Sequence, residues 1–416
     1  MTLVSRLSKV ELFVYLFLYI FSLQLPIVKT SSLLLMFWLP IRFLFSHGVF
    51  SVVGHIFRSR YVLNLFIAYI VIAIYAMTVT VVHLQMDFTL LPTLINVMLH
   101  LIVGVLLVSF LICKKYSFTA VLHLLINLFV VQAIIEIVAF FSPTLQSFVQ
   151  FFQGERSIEI ASQFAGRRGL ALAGTVFFGL AAMYGLVFLF FVKKIVDAGR
   201  FVLKDIICGL LLVVGGFFIG RTFFIGVLVA FFYFLCSSFS FKTKLVVLIK
   251  VIVFILLIGA VVWSLLPLEM QVKVFNLLLY ALEFLFNYLE YGSFSTTSSS
   301  NLFDNMYFPI GISTFFLGDG LYSGGDGGYY MHTDAGYMRN ILYMGVGGLL
   351  MLMLSDVFLL FGHKTLRKRD VLKLGLFVYL YMLIIHIKGE VFGYLLMLHC
   401  FLFIYCLSYL FIKQKL

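Results

Sequence analysis

Apolar runs close to the length that crosses a bilayer recur along the whole of this 416-residue chain. A transmembrane helix needs ~20 consecutive apolar residues. Charged residues make up only 11% of the sequence, whereas a soluble domain carries roughly 25%. We therefore predict an all-α, polytopic membrane protein with about twelve transmembrane helices, which form a single integral membrane domain over residues 1–416. The predicted spans lie near 10–28, 31–50, 61–82, 94–112, 118–141, 169–192, 205–220, 222–240, 245–266, 340–361, 371–387 and 391–412.

Clusters of lysine and arginine fall on one side of the membrane if every predicted span crosses once. The positive-inside rule makes that side cytoplasmic, so both termini are predicted to be inside. This placement accounts for most of the net charge of +12, and we expect no nucleic-acid partner. The clusters are Arg6/Lys9, Arg58/Arg60, Lys114/Lys115, Lys193/Lys194/Arg200/Lys204, Lys242/Lys244, Lys364/Arg367/Lys368/Arg369 and Lys413/Lys415.

On this topology, residues 267–339 form one large loop on the outer face. The loop opens with a stretch, about 268–291, whose apolar residues have helical spacing, which is typical of a helix lying on the membrane surface. A polar serine- and threonine-rich stretch follows, and then the glycine-rich segment 318–339. Glycine lets the backbone approach a ligand closely and permits positive φ angles. Because ionisable residues lie among these glycines, we predict that this segment carries the functional site.

Three arginine sites depart from the positive-inside pattern in the same way. Arg168, Arg221 and Arg339 each stand where a predicted helix starts on the outer face. A helix N-terminus carries roughly half a positive charge, so an arginine there adds like charge to like. Helix N-termini and arginine forks together suit phosphate or pyrophosphate. We interpret the three sites as an anion receptor; alternatively, each arginine snorkels to the interface or pairs with an outer carboxylate.

His332 and Asp334 stand one residue apart just before the predicted helix at 340. A general base must reach the substrate hydroxyl that it deprotonates, and imidazole has a suitable pKa. Either residue is a candidate base, with Asp334 as the orienting group if His332 is the base. In the structural alternative, Asp334 caps the helix and His332 is a surface residue.

The same segment is rich in tyrosine and aspartate, which are candidates for binding a glycan. Tyrosine rings stack on sugars, although tyrosine is also the usual aromatic residue at a membrane interface. The glycan-binding candidates are Tyr322, Tyr329, Tyr330, Tyr337, Asp319 and Asp326.

The sequence contains no HExxH, no Asp-X-Asp, no Walker-type phosphate loop and no Gly-X-Ser-X-Gly motif. We therefore expect no metal site, and expect side chains and helix ends to meet an anionic donor.

With these residues, the chain resembles the bacterial O-antigen polymerases of the Wzy type. The number of spans, the large outer loop before the last three spans and several short motifs carry the resemblance. The family's arginine corresponds to either Arg167 or Arg168, and we favour Arg168 as the nearer to the helix. The motifs are Gly166-Arg167-Arg168-Gly169, Gly220-Arg221-Thr222, and Asp334-Ala335-Gly336-Tyr337 followed by Arg339 and Gly345-Val346-Gly347-Gly348.

The resemblance implies a GT-C-like, metal-independent glycosyltransferase of lipopolysaccharide biosynthesis that uses no cofactor. It would sit in the bacterial inner membrane with its active site facing the periplasm. There it would transfer glycan from one undecaprenyl-pyrophosphate carrier to the non-reducing end of another carrier-linked repeat. Its implied partners are these lipid-linked oligosaccharides, membrane lipids, a chain-length regulator and a flippase.

The residues suggest a matching mechanism. Arg168, Arg221 and Arg339 would bind the donor pyrophosphate and stabilise its charge as it leaves. His332 or Asp334 would deprotonate the acceptor, with inversion at the anomeric carbon.

Two alternatives remain: an O-antigen ligase that transfers glycan to lipid A-core, and a lipid-linked oligosaccharide flippase. Flippases need charge inside the bundle and short outer loops, so the large outer loop disfavours transport.

Overall fold

The computed structural model describes residues 3–46, 48–163, 169–200, 202–325 and 327–413. These residues form a helical bundle with one small antiparallel hairpin, β1 (Gln24–Leu25) and β2 (Lys29–Thr30). The predicted all-α class is confirmed. The α-helices are α1 (Leu3–Phe21), α2 (Ser31–Leu44), α3 (Val49–Phe57), α4 (Arg60–Val82), α5 (Leu90–Cys113), α6 (Phe118–Phe141), α7 (Pro143–Phe151), α8 (Glu155–Gln163), α9 (Phe178–Ala198), α10 (Leu203–Ile219), α11 (Phe223–Leu235), α12 (Phe241–Leu265), α13 (Leu268–Ala281), α14 (Glu283–Tyr291), α15 (Thr297–Asn301), α16 (Ile312–Leu317), α17 (Gly336–Phe361), α18 (Arg369–His386) and α19 (Leu396–Phe411).

Several of these helices can cross a membrane. Among the described residues, five are long and apolar enough: α4, α5, α6, α9 and α17. The bent pair α13–α14 would be a sixth if it is one span. The chain is therefore a multi-pass membrane protein with five or six candidate spans, fewer than the twelve predicted. One reason is that the predicted span 31–50 is divided between α2 and α3 by Gly48, whose φ of +82° cannot continue a helix.

The core of the bundle is centred on α19. Every residue from Met397 to Leu410 is buried, and the helix carries no charged stripe. A helix that is hydrophobic all round is expected in the interior of a membrane bundle. Helices α1, α5, α6, α9 and α17 pack around it.

The predicted span at 169–192 starts later than the sequence suggested. Residues 169–177 are irregular and α9 begins only at Phe178. The side chain of Gln153 holds the irregular stretch, donating to the carbonyls of Gly169 and Ala171 at 2.7 Å each. Gly169 also has a φ of +76°, outside the helical region. The predicted helix start at 169 is therefore not observed.

The predicted surface helix at about 268–291 is two helices, α13 and α14, whose axes differ by 69°. The break falls at Leu282, and Glu283 occupies the first turn of α14. A carboxylate there is stabilised by the partial positive charge of the helix N-terminus. The bend also brings Glu283 to the turn between α10 and α11, as described below.

Candidate functional site

The glycine-rich segment leads into α17, whose first turn is tightly packed against the end of α18. A Cβ on Gly336 would lie 2.5 Å from the carbonyl oxygen of His386, so only glycine fits at this position. The N-cap of α17 is Ala335, and no side chain caps the helix. The interpretation of Asp334 as the capping residue is therefore wrong. The tight contact fixes where the following turn, with Arg339, points.

Arg339 lies in the first turns of α17 and is only 5% exposed. Its guanidinium carbon is 4.1 Å from the ring centroid of Tyr322 and 3.6 Å from that of Tyr329, so two aromatic rings cover it. Its Nε lies 3.1 Å from Oε2 of Glu390. Its Nη2 makes no hydrogen bond to a described residue. The alternative that an outer arginine pairs with a carboxylate therefore holds for Arg339.

Glu390, in the connection between α18 and α19, joins this arginine to two further side chains. It accepts a hydrogen bond from the Tyr322 hydroxyl and one of 2.8 Å from Asn340. Burial raises the pKa of Tyr322 well above its usual value, so the phenol stays protonated and donates. The Tyr322 ring is 5% exposed. It supports Arg339 and presents no face to a sugar, contrary to its predicted glycan-binding role.

Helix α17 is interrupted at Gly345, where φ is +66° and ψ is 179°. The interruption releases the carbonyls that end the first part of the helix, and the glycine-rich segment supplies donors for them. The amide of Asp319 donates to the carbonyl of Leu342 at 2.6 Å, and that of Gly320 to Tyr343 at 3.1 Å. A break at membrane depth is tolerated only where protein satisfies the released backbone groups. The segment and the outer part of α17 therefore form one unit.

The connection between α4 and α5 anchors the same segment through Asp87. Its carboxylate accepts hydrogen bonds from the backbone amides of Tyr322 at 2.7 Å, Ser323 at 2.6 Å and Thr89 at 3.0 Å. Partial burial favours the neutral acid, but these hydrogen bonds outweigh it and lower the pKa of Asp87 below its usual value. The ionised carboxylate therefore holds the loop at the point where Tyr322 turns inward.

Two predicted glycan-binding residues bond to each other. The Asp319 carboxylate accepts from the Thr314 hydroxyl at 2.8 Å and from the Tyr330 hydroxyl at 3.3 Å. Both are only partly buried, so their outer faces remain accessible. Asp326, a third candidate, lies outside the described residues.

Tyr337 faces α18. Its hydroxyl donates to the carbonyl of Leu383 at 3.0 Å, and its ring packs edge-on against His386 with 4.6 Å between centroids. Tyr337 thus braces the outer ends of α17 and α18 against each other, and its half-buried ring is less available for stacking than that of Tyr330.

The candidate bases lie at the exposed rim of this unit. His332 has a φ of +54° and follows Met331 at +53°, two consecutive non-glycine residues in the left-handed region. Such strain is retained only where the surroundings enforce it, and it is frequent at functional sites. The amide of His332 donates to the carbonyl of Tyr329 at 2.9 Å. The bend thus ties the histidine to the residue that covers Arg339.

Asp334 is the second candidate base, and its side chain is exposed at the rim. Desolvation by the packed atoms behind it raises the pKa of Asp334 above its usual value, while the charges of Lys388 and Arg339 oppose the shift. A carboxylate with a raised pKa is a stronger base. Asp334 is therefore within the electrostatic reach of two cations that come from different elements.

Arg221 lies in the turn between α10 and α11, directly before the helix that starts at Phe223, as predicted. Its Nη1 donates to Oε2 of Glu283. Its guanidinium carbon is 4.2 Å from the ring centroid of Tyr280. The other carboxylate oxygen of Glu283 accepts hydrogen bonds from the amide and the hydroxyl of Thr297, each at 2.7 Å. The alternative that an outer arginine pairs with a carboxylate therefore holds for Arg221 too, and the same carboxylate joins it to the serine- and threonine-rich stretch.

A cavity of ≈ 290 Å³ lies beside Arg221. Lys388 is a second cation in the cavity wall. Its charge also acts on Asp334, where it opposes the upward shift of the pKa. Four hydroxyls add polar groups, and the rest of the wall is apolar. The lining residues are Arg221, Thr222, Phe224, Ile225, Phe284, Thr296, Ser298, Ser299, Leu302, Ile384, Ile387 and Lys388. Such a wall suits a phosphate group that carries an apolar chain.

The predicted site residues are thus divided. Arg221 lines the cavity, whereas Arg339 is buried next to Glu390 and is not among the lining residues. Arg168 lies outside the described residues, and the helix that it was predicted to precede begins at Phe178. Lys388 relates the two arginines, because it lines the cavity together with Arg221 and acts together with Arg339 on the charge of Asp334.

Sequence reasoning missed four residues of this site. Lys388 was visible as a basic residue on the outer side of the predicted topology, and this signal could have found it. The three acids Asp87, Glu283 and Glu390 were not predicted as partners. Asp87 and Glu390 lie in short connections far along the chain from the residues they bind, so no local pattern marks them.

Comparison of the chain with models of protein families, with curated proteins and with solved structures gave no match in any of the three.

Proposed function

We propose that this protein is an O-antigen polymerase: a metal-independent, inverting glycosyltransferase that extends glycan on undecaprenyl-pyrophosphate carriers. In this proposal the chain crosses the bacterial inner membrane about twelve times, with both termini in the cytoplasm and the site facing the periplasm. Its substrates are lipid-linked oligosaccharides, and it works beside a flippase and a chain-length regulator.

The cavity beside Arg221 is the observation that supports this proposal most. Two cations, Arg221 and Lys388, share a wall with four hydroxyls and with apolar side chains. Arginine and lysine both bind phosphate oxygens, arginine with a planar fork and lysine as a point charge. A lipid diphosphate needs both features of this wall, since its head is anionic and its chain is apolar.

The proposed reaction starts with the donor diphosphate held by Arg221 and Lys388. The acceptor hydroxyl gives its proton to Asp334 or His332, and its oxygen bonds to the anomeric carbon of the donor glycan. The bond from that carbon to the diphosphate oxygen breaks, and the carrier diphosphate leaves with the electron pair. Cations fixed where negative charge develops lower the barrier to this step. A single displacement inverts the anomeric centre.

Arg339 has a different place in this proposal. Direct contact with a diphosphate would require Tyr329 to move off its guanidinium, because that ring covers it at 3.6 Å. In its present position, Arg339 acts through charge on Asp334 and through the shape of the segment above it. Of the two described arginines, Arg221 is the better candidate for phosphate contact, and Arg168 remains a sequence-based prediction.

The experiment that tests the proposal uses the purified full-length protein with carrier-linked repeat units and no other protein. We expect products longer by successive repeats, with carrier diphosphate released in equal amount. Transfer only to added lipid A-core would identify a ligase instead. Movement of the carrier-linked repeat across a vesicle membrane without chain extension would identify a flippase.

A further inference from the structure

A second cavity lies at the opposite end of α10 from Arg221. Its volume is ≈ 450 Å³, and it is formed where α6, α9 and α10 meet. Helix α10 has 17 residues, so its ends are ~25 Å apart at 1.5 Å per residue. The second cavity is therefore separate from the cavity beside Arg221.

Two carboxylates in the wall of this cavity are already bound by lysines. Lys194 lies 2.9 Å from Asp205, and Lys193 lies 2.7 Å from Asp197. Asp205 additionally accepts the amide of Val202 at 3.3 Å in the first turn of α10. The acids in this wall are thus neutralised by cations from α9.

The remaining cations are Arg200 and Lys204, which also line the cavity. Neither forms an ion pair with a carboxylate in the part of the chain that the structure describes. After the two lysine–aspartate pairs are subtracted, the wall keeps an excess of positive charge. His123 and Asn127 of α6 face the same space and can donate hydrogen bonds.

The surroundings of the cavity suit a lipid. Leu203 and Ile207, in the first turns of α10, are 63% and 47% exposed. The cationic cavity can bind the phosphate headgroup of a lipid, and the exposed apolar side chains beside it can contact the acyl chains. On the orientation given by the positive-inside rule, this end of the bundle meets the cytoplasmic leaflet, where basic pockets between helices bind anionic lipids.

We propose that this cavity binds the phosphate headgroup of an anionic phospholipid, with Arg200 and Lys204 as the principal contacts. The site is distinct from the one that would bind the carrier diphosphate. It needs no assumption about the reaction, and it stands if the proposed function fails.

The test uses native mass spectrometry and lipid titration of the full-length protein, with phosphatidylglycerol as the probe and phosphatidylcholine as the zwitterionic comparison. Each cation near a lipid phosphate contributes ~1 kcal/mol. The double variant Arg200→Gln/Lys204→Gln should therefore weaken phosphatidylglycerol binding by about 30-fold. The matched control is Lys115→Gln/Lys364→Gln, which removes two exposed cations that do not line the cavity. We expect this control to bind like the unsubstituted protein.

Three outcomes would overturn the proposal: equal binding of the two lipids by the unsubstituted protein, equal loss in both double variants, or displacement of the bound lipid by millimolar inorganic phosphate. The last result would identify a soluble phosphate compound as the ligand. A cavity variant that still inserts and keeps the unfolding temperature of the control, but loses the lipid, supports the proposal.

Discussion

The Nε atom of Arg339 lies 3.1 Å from Oε2 of Glu390, and both side chains are almost completely buried, at 4% and 3% exposure. The two residues come from the first turns of α17 and from the connection before α19. Tyr322 and Asn340 donate to the same carboxylate. This pair therefore joins the glycine-rich segment, α17 and the connection before α19.

The first prediction concerns this pair. Glu390→Ala should destabilise the fold by about 3 kcal/mol, because it leaves the Arg339 charge buried without its carboxylate. Glu390→Gln should cost less, since an amide still accepts from Tyr322 or Asn340. Apparent unfolding temperature in detergent would measure both, with the exposed Glu290→Ala as control. Equal unfolding temperatures for all three variants would contradict the prediction.

The second prediction concerns the interruption of α17. Gly345→Ala places a Cβ against the carbonyl of Phe316 at a residue whose φ is +66°. Overpacking and left-handed strain together should cost about 3 kcal/mol. Gly259→Ala in α12, where a Cβ meets nothing within 4 Å, is the matched control and should be neutral or slightly stabilising. The yield of folded protein and its unfolding temperature would separate the two variants.

The third prediction is a pH dependence of stability at Asp87. The folded state lowers the pKa of this carboxyl, so its contribution is complete above the unfolded pKa of about 3.9 and is lost as the pH falls through the lower folded pKa. Asp87→Asn should therefore be less stable than the unsubstituted protein at neutral pH, and the difference should shrink below about pH 4.

Hydrogen exchange provides the local measurement for this substitution. The amides of Tyr322 and Ser323 donate to Asp87, so their exchange should accelerate in Asp87→Asn at neutral pH. Amides of the distant helix α12 serve as the internal control. Unchanged protection at residues 322 and 323 would show that the carboxylate does not hold the loop.

The fourth prediction uses the pH dependence of polymerisation to identify the base. The pKa of Asp334 is raised by desolvation and is held down by Lys388. If Asp334 is the base, the rate should increase with pH through a pKa above the usual carboxyl value, which gives the pH–rate profile a rising limb. Lys388→Gln should move this limb to higher pH, because it removes a charge that lowers the pKa of Asp334. The exposed Lys273→Gln should leave the limb in place. An unmoved limb in Lys388→Gln, or normal turnover in Asp334→Ala, would exclude Asp334 and favour His332.

The fifth prediction concerns Arg221. If the proposed function holds, Arg221→Ala should reduce chain extension by about 100-fold or more while the protein still inserts, because in that reaction Arg221 stabilises the leaving diphosphate. Arg221→Lys should recover only part of the rate, since lysine cannot replace the planar fork. Arg42→Ala, which breaks an ion pair with Glu11 elsewhere in the bundle, is the control. Full-length glycan from Arg221→Ala would remove this residue from the site.

Local features of the site were predictable, and long-range pairings were not. The position of Arg221 before α11 followed from the apolar run that starts at 222. The packing of the glycine-rich segment on the interrupted α17 was not predicted, because its composition indicates only that the backbone can approach a neighbour closely. The start of α9 was not predictable, because the carbonyl contacts of Gln153 replace a helical turn there. The pairing of Arg339 with Glu390 depends on how α17 and α19 pack, which no local spacing encodes.

The interruption at Gly345 also bears on the order in which the membrane protein is assembled. The donors that complete the outer part of α17, the amides of Asp319 and Gly320, are synthesised before it. Glu390 is synthesised only after α18. The hydrogen-bond donors of this half-helix are therefore present when it leaves the ribosome, whereas the Arg339 charge meets its carboxylate only after α18 has been synthesised.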